Sequence, residues 1–199
     1  TMTLGMEKDP RLKEQLPNYV QIVKDEVNDM AEAGAREIQL DAPSEATSLV
    51  NATSSAADLF ETLIAPLSDL SDVTRTVHFC LGDISRRPGT EVQNLSSLLP
   101  LIQMLDGFVD RVHIECSHAG QWADRHLFAE IPDSIEIIAG IADVKQKPQP
   151  VAVLAERIEL LLAIVNEQRL LLSTYCGCGR VPHDEAIRLL RNLVKAARG

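Results

Sequence analysis

Side chains that bind metal ions follow apolar segments at three places in this sequence. His78 and Cys80 stand two residues apart at the end of one segment. Glu115 ends the next segment, and Cys176 follows the last one. Residues two apart in a strand project from the same face, so the imidazole of His78 and the thiol of Cys80 would lie together. An imidazole, two thiolates and a carboxylate form a four-donor set that suits zinc better than magnesium or calcium.

Neighbouring residues leave alternatives to this zinc site. Cys178 lies two residues after Cys176 and could replace it as a ligand. His113 shares a face with Glu115 one layer deeper, where it would be a core residue or would support a ligand from outside the coordination shell. Cys116 would point to the opposite face and behave as a small buried hydrophobic residue. A single histidine in a strand is also more often a hydrogen-bonded core residue than a ligand.

The elements that must position these residues alternate between strand and helix. We predict strands over residues 37–40, 74–79, 111–114, 135–141 and 170–173. We predict helices over residues 12–34, 56–70, 92–108, 118–129, 151–167 and 184–197, with a loop at 82–90. Such alternation is typical of β/α units around a parallel sheet.

A polar or metal-binding residue stands at the carboxyl end of every predicted strand. These residues are Asp41, His78 with Cys80, Glu115, Asp143 and Cys176. One acid after a strand often only caps the next helix, but five such positions indicate one shared site, as in barrel enzymes. We therefore predict an α/β fold of the (β/α)8 TIM-barrel type. An open doubly wound sheet is the alternative, although no glycine-rich phosphate-binding loop follows the first strand.

Composition limits the class of protein. The 199 residues are 45% hydrophobic, which predicts a folded domain rather than a disordered chain. The net charge of −10 argues against nucleic acid or an anionic membrane surface as the main partner. No apolar segment is long enough to span a bilayer, and residues 1–13 lack the pattern of a secretory signal, so we expect a cytoplasmic protein.

Five segments together form a recognisable set. They are Glu37-Ile38-Gln39-Leu40-Asp41-Ala42-Pro43, Val77-His78-Phe79-Cys80, His113-Ile114-Glu115-Cys116-Ser117, Gly140-Ile141-Ala142-Asp143-Val144-Lys145 and Tyr175-Cys176-Gly177. In kind and order this set resembles the C-terminal catalytic barrel of the cobalamin-independent methionine synthases, within the wider superfamily that includes uroporphyrinogen decarboxylase. The resemblance implies that Zn2+ is bound by His78, Cys80, Glu115 and Cys176. It also implies that Asp41 holds the amino group of homocysteine or methionine.

The same resemblance implies a reaction. Zinc would stabilise the thiolate of homocysteine, which would attack the methyl group of a methyl-folate. Glu115 is the hardest donor in a thiolate-rich shell, and we expect it to leave the metal as the substrate sulfur arrives. The expected partners are these two small molecules, with no nucleic acid and no membrane.

Two motifs depart from the family pattern. The family's Asp-Ile-His is Asp143-Val144-Lys145 here. Lys145, with Asp143 beside it, would then serve as the acid or hold an anionic substrate group, unless it is a solvated loop residue. The family's Asp-Glu-Pro is Asp41-Ala42-Pro43, and a later acid is Thr47. These changes leave open a zinc-dependent alkyltransferase or lyase that uses another thiol or donor, similar to the coenzyme M transferases.

The length of the chain is a third departure. A (β/α)8 barrel needs around 250 residues, and we count five strands. We predict that residues 1–199 are the C-terminal portion, about five β/α units, of a methionine-synthase-like catalytic barrel. The missing units would belong to the same protein, to a complementary N-terminal half-barrel chain, or to another copy in a homo-oligomer. A half-barrel that binds zinc without turnover is the non-enzymatic alternative.

Overall fold

Five strands alternate with seven α-helices in the part of the chain that the structure, a computed structural model, describes: residues 10–82, 89–91 and 94–199. The helices are α1 (Pro10–Glu32), α2 (Pro43–Val50), α3 (Ala56–Ile64), α4 (Leu99–Met104), α5 (Ala119–Ala123), α6 (Val151–Leu162) and α7 (His183–Arg198). The strands are β1 (Glu37–Asp41), β2 (Thr74–Phe79), β3 (Arg111–Glu115), β4 (Glu136–Ala142) and β5 (Leu170–Thr174). Two 3-10 helices, Asp124–Glu130 and Glu167–Arg169, complete the described elements.

All five strands are parallel, and their order in the sheet is their order in the chain, β1-β2-β3-β4-β5. A doubly wound sheet requires a reversal of strand order at its switch point, and this sheet has none. Consecutive parallel strands joined by helices are the arrangement of a (β/α) barrel. The predicted fold class is therefore confirmed: the chain is an α/β protein with a five-stranded part of a barrel.

The two faces of the sheet differ in chemistry. One face belongs to the hydrophobic core, where Val77, Phe79, Val112, Ile114 and Ile137 are all essentially without solvent exposure. The opposite face carries the polar residues of the alternating pattern. Because the strands run in parallel and in register, the polar residues at their carboxyl ends meet at one edge of the sheet.

The strand register fixes which polar side chains are neighbours. Asp41 pairs with His78, and His78 pairs with His113. One row higher, Glu115 pairs with Gly140. These rows determine the geometry of the candidate site described below.

An ion network on the polar face joins the amino-terminal halves of four strands. Arg111 donates to Glu37 Oε2 at 2.8 Å and to Glu136 Oε2 at 2.5 Å. Thr76 donates to the other oxygen of Glu37 at 2.7 Å. These contacts tie β1, β2, β3 and β4 together well below the carboxyl-terminal edge.

Several helices differ from the sequence-based prediction, and prolines account for three of the differences. The helix expected over residues 56–70 ends at Ile64, because Pro66 has no N–H to continue it. The helix expected over 92–108 is α4 alone among the described residues, and Pro100 occupies its first turn. Pro43 begins α2, a helix that the sequence analysis did not predict.

Two further differences concern helix length and character. The helix expected over 118–129 is α5 followed by a 3-10 helix, and the helix expected over 151–167 ends at Leu162. Most of the predicted loop at 82–90 lies outside the described residues. None of the helices in the described ranges combines the length and the apolar character that a bilayer crossing requires.

Gly140 allows a close approach between β4 and the ends of its neighbours. A Cβ atom at this position would lie 3.0 Å from the carbonyl oxygen of Thr174, and 3.1 Å from both the carbonyl oxygen of Ile114 and the Cα of Tyr175. All three contacts are to backbone atoms, which cannot rotate away. The pairing of β4 with β5 also shifts register between Gly140 and Ala142. Glycine at this position therefore sets how β3 and β5 converge at the carboxyl edge.

We predict that Gly140→Ala lowers the free energy of unfolding by about 1–3 kcal/mol, the usual cost of forcing an extra carbon into a packed site. Urea denaturation followed by circular dichroism measures this difference. Gly179→Ala is the matched control, since a Cβ atom there meets no atom within 4 Å. Equal unfolding free energies for the two variants would contradict the packing argument.

Candidate metal centre

Three strand ends bring together His78, Cys80, Glu115 and Cys176. β2 carries His78 near its end and Cys80 directly after it, β3 ends at Glu115, and Cys176 follows β5 by two residues. One donor atom from each side chain can be chosen so that all four lie within 4.8 Å of one another. The two sulfur atoms, of Cys80 and Cys176, are 3.6 Å apart. The four residues singled out by the sequence therefore form one cluster.

The imidazole of His78 is oriented by a backbone contact. Its Nδ1 lies 3.3 Å from the carbonyl oxygen of His113. Because a carbonyl can only accept, this contact assigns the proton to Nδ1 and leaves the lone pair on Nε2. Nε2 is buried and makes no hydrogen bond of normal geometry within the described residues. Its position and tautomer are those of an imidazole ready to bind a cation.

The two cysteines are held by backbone contacts on either side of the cluster. The N–H of Gly82 donates to the sulfur of Cys80 at 3.3 Å. Gly82 has a φ of +86°, and a Cβ there would lie 2.8 Å from the Cα of Gly89. On the other side, the hydroxyl of Thr174 donates to the carbonyl oxygen of Cys176 at 2.9 Å. Each thiol is thus carried by a turn whose shape is fixed locally.

Glu115 is only 1% exposed, which is unusual for a carboxyl group. Its Oε2 accepts a long hydrogen bond, 3.4 Å, from the side-chain amide of Gln121. That amide also lies 3.5 Å from the hydroxyl of Tyr175. Oε1 is buried and has no hydrogen-bond partner of normal geometry within the described ranges. Burial raises the pKa of Glu115 to about 7, although the nearby charge of Lys145 opposes the shift.

The two thiols divide one proton between them. The hydrogen bond from Cys80 lowers the pKa of Cys176 to about 4, and His78 contributes to the same shift. The pKa of Cys80 is raised far above its usual value, because the same hydrogen bond and burial both favour its protonated form. Burial alone would lower the pKa of His78, but Cys176, Asp41 and Glu115 outweigh it and raise this pKa. Without a cation, Cys176 is therefore the thiol that ionises more readily, and Cys80 is the one that more readily keeps its proton.

The donors fit a zinc ion. Two sulfurs, one imidazole nitrogen and one carboxylate oxygen are a four-donor set with the borderline-soft character that zinc prefers. Two buried polar atoms, Nε2 of His78 and Oε1 of Glu115, lack hydrogen bonds of normal geometry within the described part of the chain. A bound cation would satisfy both atoms and would let both thiols ionise.

The other predicted site residues lie at different distances from this cluster. Asp41 is at the exposed edge, with Oδ1 3.8 Å from Nε2 of His78. Lys145 is buried, and its Nζ lies 3.6 Å from the ring centroid of Tyr175. The carboxylate of Asp143 accepts the backbone N–H of Lys145 at 2.7 Å and so shapes its own loop. Asp41 and Lys145 therefore border the cluster, and Asp143 supports the loop of Lys145.

The neighbouring residues considered as alternatives lie outside the four-residue cluster. Cys178 is not one of the four clustered residues. Cys116 is fully buried, and burial raises its pKa to about 12, as expected for a small hydrophobic side chain. Burial and the proximity of His78 lower the pKa of His113 to about 4. His113 stacks directly on His78, with ring centroids 4.1 Å apart.

Two residues near Glu115 were not found from the sequence. Tyr175, which has no solvent exposure, directly precedes Cys176 in the Tyr-Cys-Gly segment. Its place beside a candidate ligand was therefore a signal that it could belong to the site. Gln121 lies in α5, and nothing in its sequence surroundings indicates that its amide reaches Glu115. Glu45 in α2 was also missed: burial raises its pKa, and the charge of Asp41 adds to the shift.

A partial (β/α) barrel with a two-sulfur, imidazole and carboxylate cluster at its carboxyl edge belongs to a recognisable class of proteins. The family model described as cobalamin-independent synthase, catalytic domain, matches residues 3–199. The chain belongs to this family.

Solved structures share the fold. A B12-independent methionine synthase from Shewanella sp. W3-18-1, in complex with selenomethionine, superposes with a TM-score of 0.74 and 19% identity, covering 90% of this chain and 52% of that one. A Listeria monocytogenes protein assigned to the vitamin-B12-independent methionine synthases superposes with a TM-score of 0.63 and 18% sequence identity. The match covers 97% of this chain and 56% of that one. This chain spans about half the length of either structure. A search among curated proteins found no match.

We predict that Cys176 is the thiol most reactive toward iodoacetamide when metal is removed by a chelator. A thiol with a pKa of about 4 is fully ionised between pH 6 and 8, so its alkylation rate should stay nearly constant over that range. Cys178 is the internal control: its pKa is raised, chiefly by burial, so its rate should climb with pH. Peptide mass mapping measures both rates. A rate at Cys176 that climbs in parallel with that of Cys178 would contradict the shared-proton description.

Proposed function

We propose that residues 1–199 are the C-terminal, metal-binding portion of a zinc-dependent S-methyltransferase that makes methionine from homocysteine and a methyl-folate. The observation that carries the proposal is the cluster of four donor atoms within 4.8 Å at the carboxyl edge of the sheet. Membership of the cobalamin-independent synthase family supports it. The Shewanella relative was solved with selenomethionine, the selenium analogue of the proposed product.

The proposed ligands are His78, Cys80, Glu115 and Cys176. When bound there, zinc would supply thiol activation, since it stabilises the thiolate of a substrate and makes a nucleophile available at neutral pH. The side chains around the ligands would bind and orient the substrate, and they would stabilise the charges that form in the site.

Asp41 is the proposed contact for the amino group of homocysteine. Its carboxylate is half exposed at the edge of the cluster, so a substrate can reach it, and it lies 3.8 Å from the imidazole of His78. Glu45 adds a second acid nearby, which compensates for the threonine at position 47 where the family has an acid. An ammonium group would be attracted by both carboxylates.

If zinc is bound, Glu115 would be the ligand that the substrate sulfur displaces most easily. The amide of Gln121, at 3.4 Å from Oε2, can hold the carboxylate after it moves. Lys145 lies close enough to oppose the rise in the pKa of Glu115, so its charge would stabilise the displaced carboxylate as well. The site thus contains partners for Glu115 in either position.

Lys145 stands where the family's Asp-Ile-His motif has its histidine, and with Asp143 it forms our catalytic assignment in that loop. Its Nζ lies over the ring of Tyr175, an arrangement that stabilises the charged ammonium. Asp143 fixes the loop through the backbone N–H of Lys145. In this position Lys145 would donate a proton as the acid of the reaction or hold an anionic group of the substrate or donor.

This substitution favours a second candidate function. A zinc-dependent alkyltransferase or lyase would use the same ligands with a different thiol or alkyl donor, as in enzymes similar to the coenzyme M transferases. Lys145 would then bind an acidic group of that thiol. Steady-state assays with homocysteine and methyl-folate, compared with acidic thiols and other alkyl donors, separate the two candidates by their kcat/KM values.

The two edge strands of the sheet, β1 and β5, are the observation behind the non-enzymatic candidate. β1 and β5 each pair with one strand among the described elements, which leaves one side of each strand without a partner from them. A second copy or a complementary half-barrel chain could supply the missing strands. Turnover by a chain that sediments as a monomer would exclude this candidate.

We predict near-stoichiometric zinc in the purified chain and its loss from Cys80→Ser and Cys176→Ser, because a hydroxyl is a much poorer zinc ligand than a thiolate. Cys178→Ser is the matched control and should retain zinc, since Cys178 lies outside the cluster. Atomic emission analysis measures the metal content. A wild-type chain that stays free of zinc even when zinc is supplied would contradict the proposed function.

We predict that Asp41→Asn weakens homocysteine binding to the zinc-loaded chain by about 10- to 100-fold, the usual value of a hydrogen bond between charged groups. 4-Mercaptobutyrate, which is homocysteine without its amino group, should bind wild type and variant equally. Isothermal titration calorimetry gives both dissociation constants and does not require turnover. An equal loss for the two thiols would show that Asp41 does not contact the amino group.

A further inference from the structure

His113 occupies the polar face of β3, directly beside His78 of β2. The two rings are stacked, with centroids 4.1 Å apart and an interplanar angle of 29°. The backbone carbonyl of His113 also accepts the hydrogen bond from Nδ1 of His78, at 3.3 Å. One residue therefore fixes both the plane of the proposed ligand ring and the tautomer that leaves Nε2 available.

The other end of the His113 ring reaches a different strand. Its Nε2 lies 3.0 Å from the carbonyl oxygen of Thr174, the last residue of β5. Because the carbonyl can only accept, Nε2 carries the proton and donates it. β3 and β5 are not neighbours in the sheet, since β4 lies between them. The imidazole therefore spans β4 from one side to the other.

Gly140 explains how the ring can cross β4. A Cβ at this position would lie 3.0 Å from the carbonyl oxygen of Thr174, which is the atom that accepts the bond from His113. Any side chain there would compete for the space around that carbonyl. The absence of a side chain at Gly140 and the reach of His113 are two parts of one arrangement.

The contact with β5 continues to a second proposed ligand. The hydroxyl of Thr174 donates to the carbonyl oxygen of Cys176 at 2.9 Å, which shapes the turn that carries the thiol. We call the end of β2 with His78 one ligand arm, and the end of β5 with the turn to Cys176 the other ligand arm. His113 thus contacts one ligand arm at each end of its side chain. We propose that His113 is a positioning residue that holds these two ligand arms at the separation needed for metal binding.

The inference rests on the proposed zinc site and adds to it a residue that does not touch the metal. A purely structural role for His113, as a ring that fills space on the polar face, is the competing explanation. The two explanations differ in what they require. Positioning requires the N–H donor at the far end of the side chain, whereas space filling requires only bulk.

Three variants separate these requirements. His113→Leu keeps most of the bulk and removes the donor. His113→Gln restores an amide N–H at about the reach of Nε2, and His113→Asn carries the same group on a shorter side chain. Thr76→Val is the matched control, because it deletes a hydrogen bond on the same face, from Thr76 to Glu37, that touches neither ligand arm.

Zinc affinity is measured by competition with a chromophoric chelator, and the cobalt-substituted chain is examined by absorption spectroscopy. We expect His113→Leu and His113→Asn to lose about 10- to 100-fold in zinc affinity, the usual effect of removing a group that orients a metal ligand. His113→Gln should recover part of the loss, and Thr76→Val should match wild type. The thiolate-to-cobalt bands should shift in the Leu and Asn variants alone.

Two results would overturn the proposal. Zinc affinity and cobalt spectra unchanged in both the Leu and the Asn variants would show that the donor does not matter, and an equal loss in Thr76→Val would show a general effect of stability. If the Leu variant does not fold, the comparison between Gln and Asn decides alone. Absence of zinc binding in the wild-type chain would contradict the proposed function itself and this inference with it.

Discussion

A buried carboxyl group and two cysteine sulfurs share a volume only 4.8 Å across with an imidazole. Burial penalises each charged form, and the negative charges would repel one another. Within the protein alone, the conflict is reduced by protons: Cys80 keeps its proton, and the pKa of Glu115 rises to about 7. A divalent cation removes the same conflict more completely. The surrounding structure holds these groups together in spite of their mutual repulsion.

The sheet supplies that support because its strands end together. Parallel pairing in sequential order delivers one or two donors from each of β2, β3 and the segment after β5 to the same edge. The ion network of Arg111 joins β1, β3 and β4 in the opposite half of the sheet. Gly140 then lets the neighbouring strands converge. The cluster is therefore a property of the scaffold as much as of its four residues.

Sequence reasoning located the parts of this arrangement that depend on local patterns. Short apolar segments defined all five strands, and the polar residue after each one indicated the common edge. Helix ends were less accurate where a proline changed the local geometry, as at Pro66 and Pro100. The membership of Cys176 rather than Cys178 in the cluster could not be settled by spacing, because both lie on a turn whose path depends on Thr174. Residue type and order were sufficient for the strands, but not for that turn.

The contacts that support the candidate ligands were harder to predict. His113 reaches Thr174 across an intervening strand, which requires the register of three strands and a glycine at the crossing. Gln121 approaches Glu115 only because α5 begins shortly after β3 and turns back over its end. Such contacts depend on distances between elements, and a single sequence gives no direct measure of those distances. The residues that orient ligands are for this reason less visible in a sequence than the ligands themselves.

The contact between Gly82 and Gly89 has a consequence for how proteins with this arrangement can diverge. The two backbones touch at the base of the segment that follows Cys80, and Gly82 also donates to the Cys80 sulfur. Because a Cβ at position 82 would lie 2.8 Å from the Cα of Gly89, every larger residue there would displace the backbone N–H that holds the thiol. Selection on metal binding would therefore keep position 82 a glycine, even though this residue supplies no ligand atom.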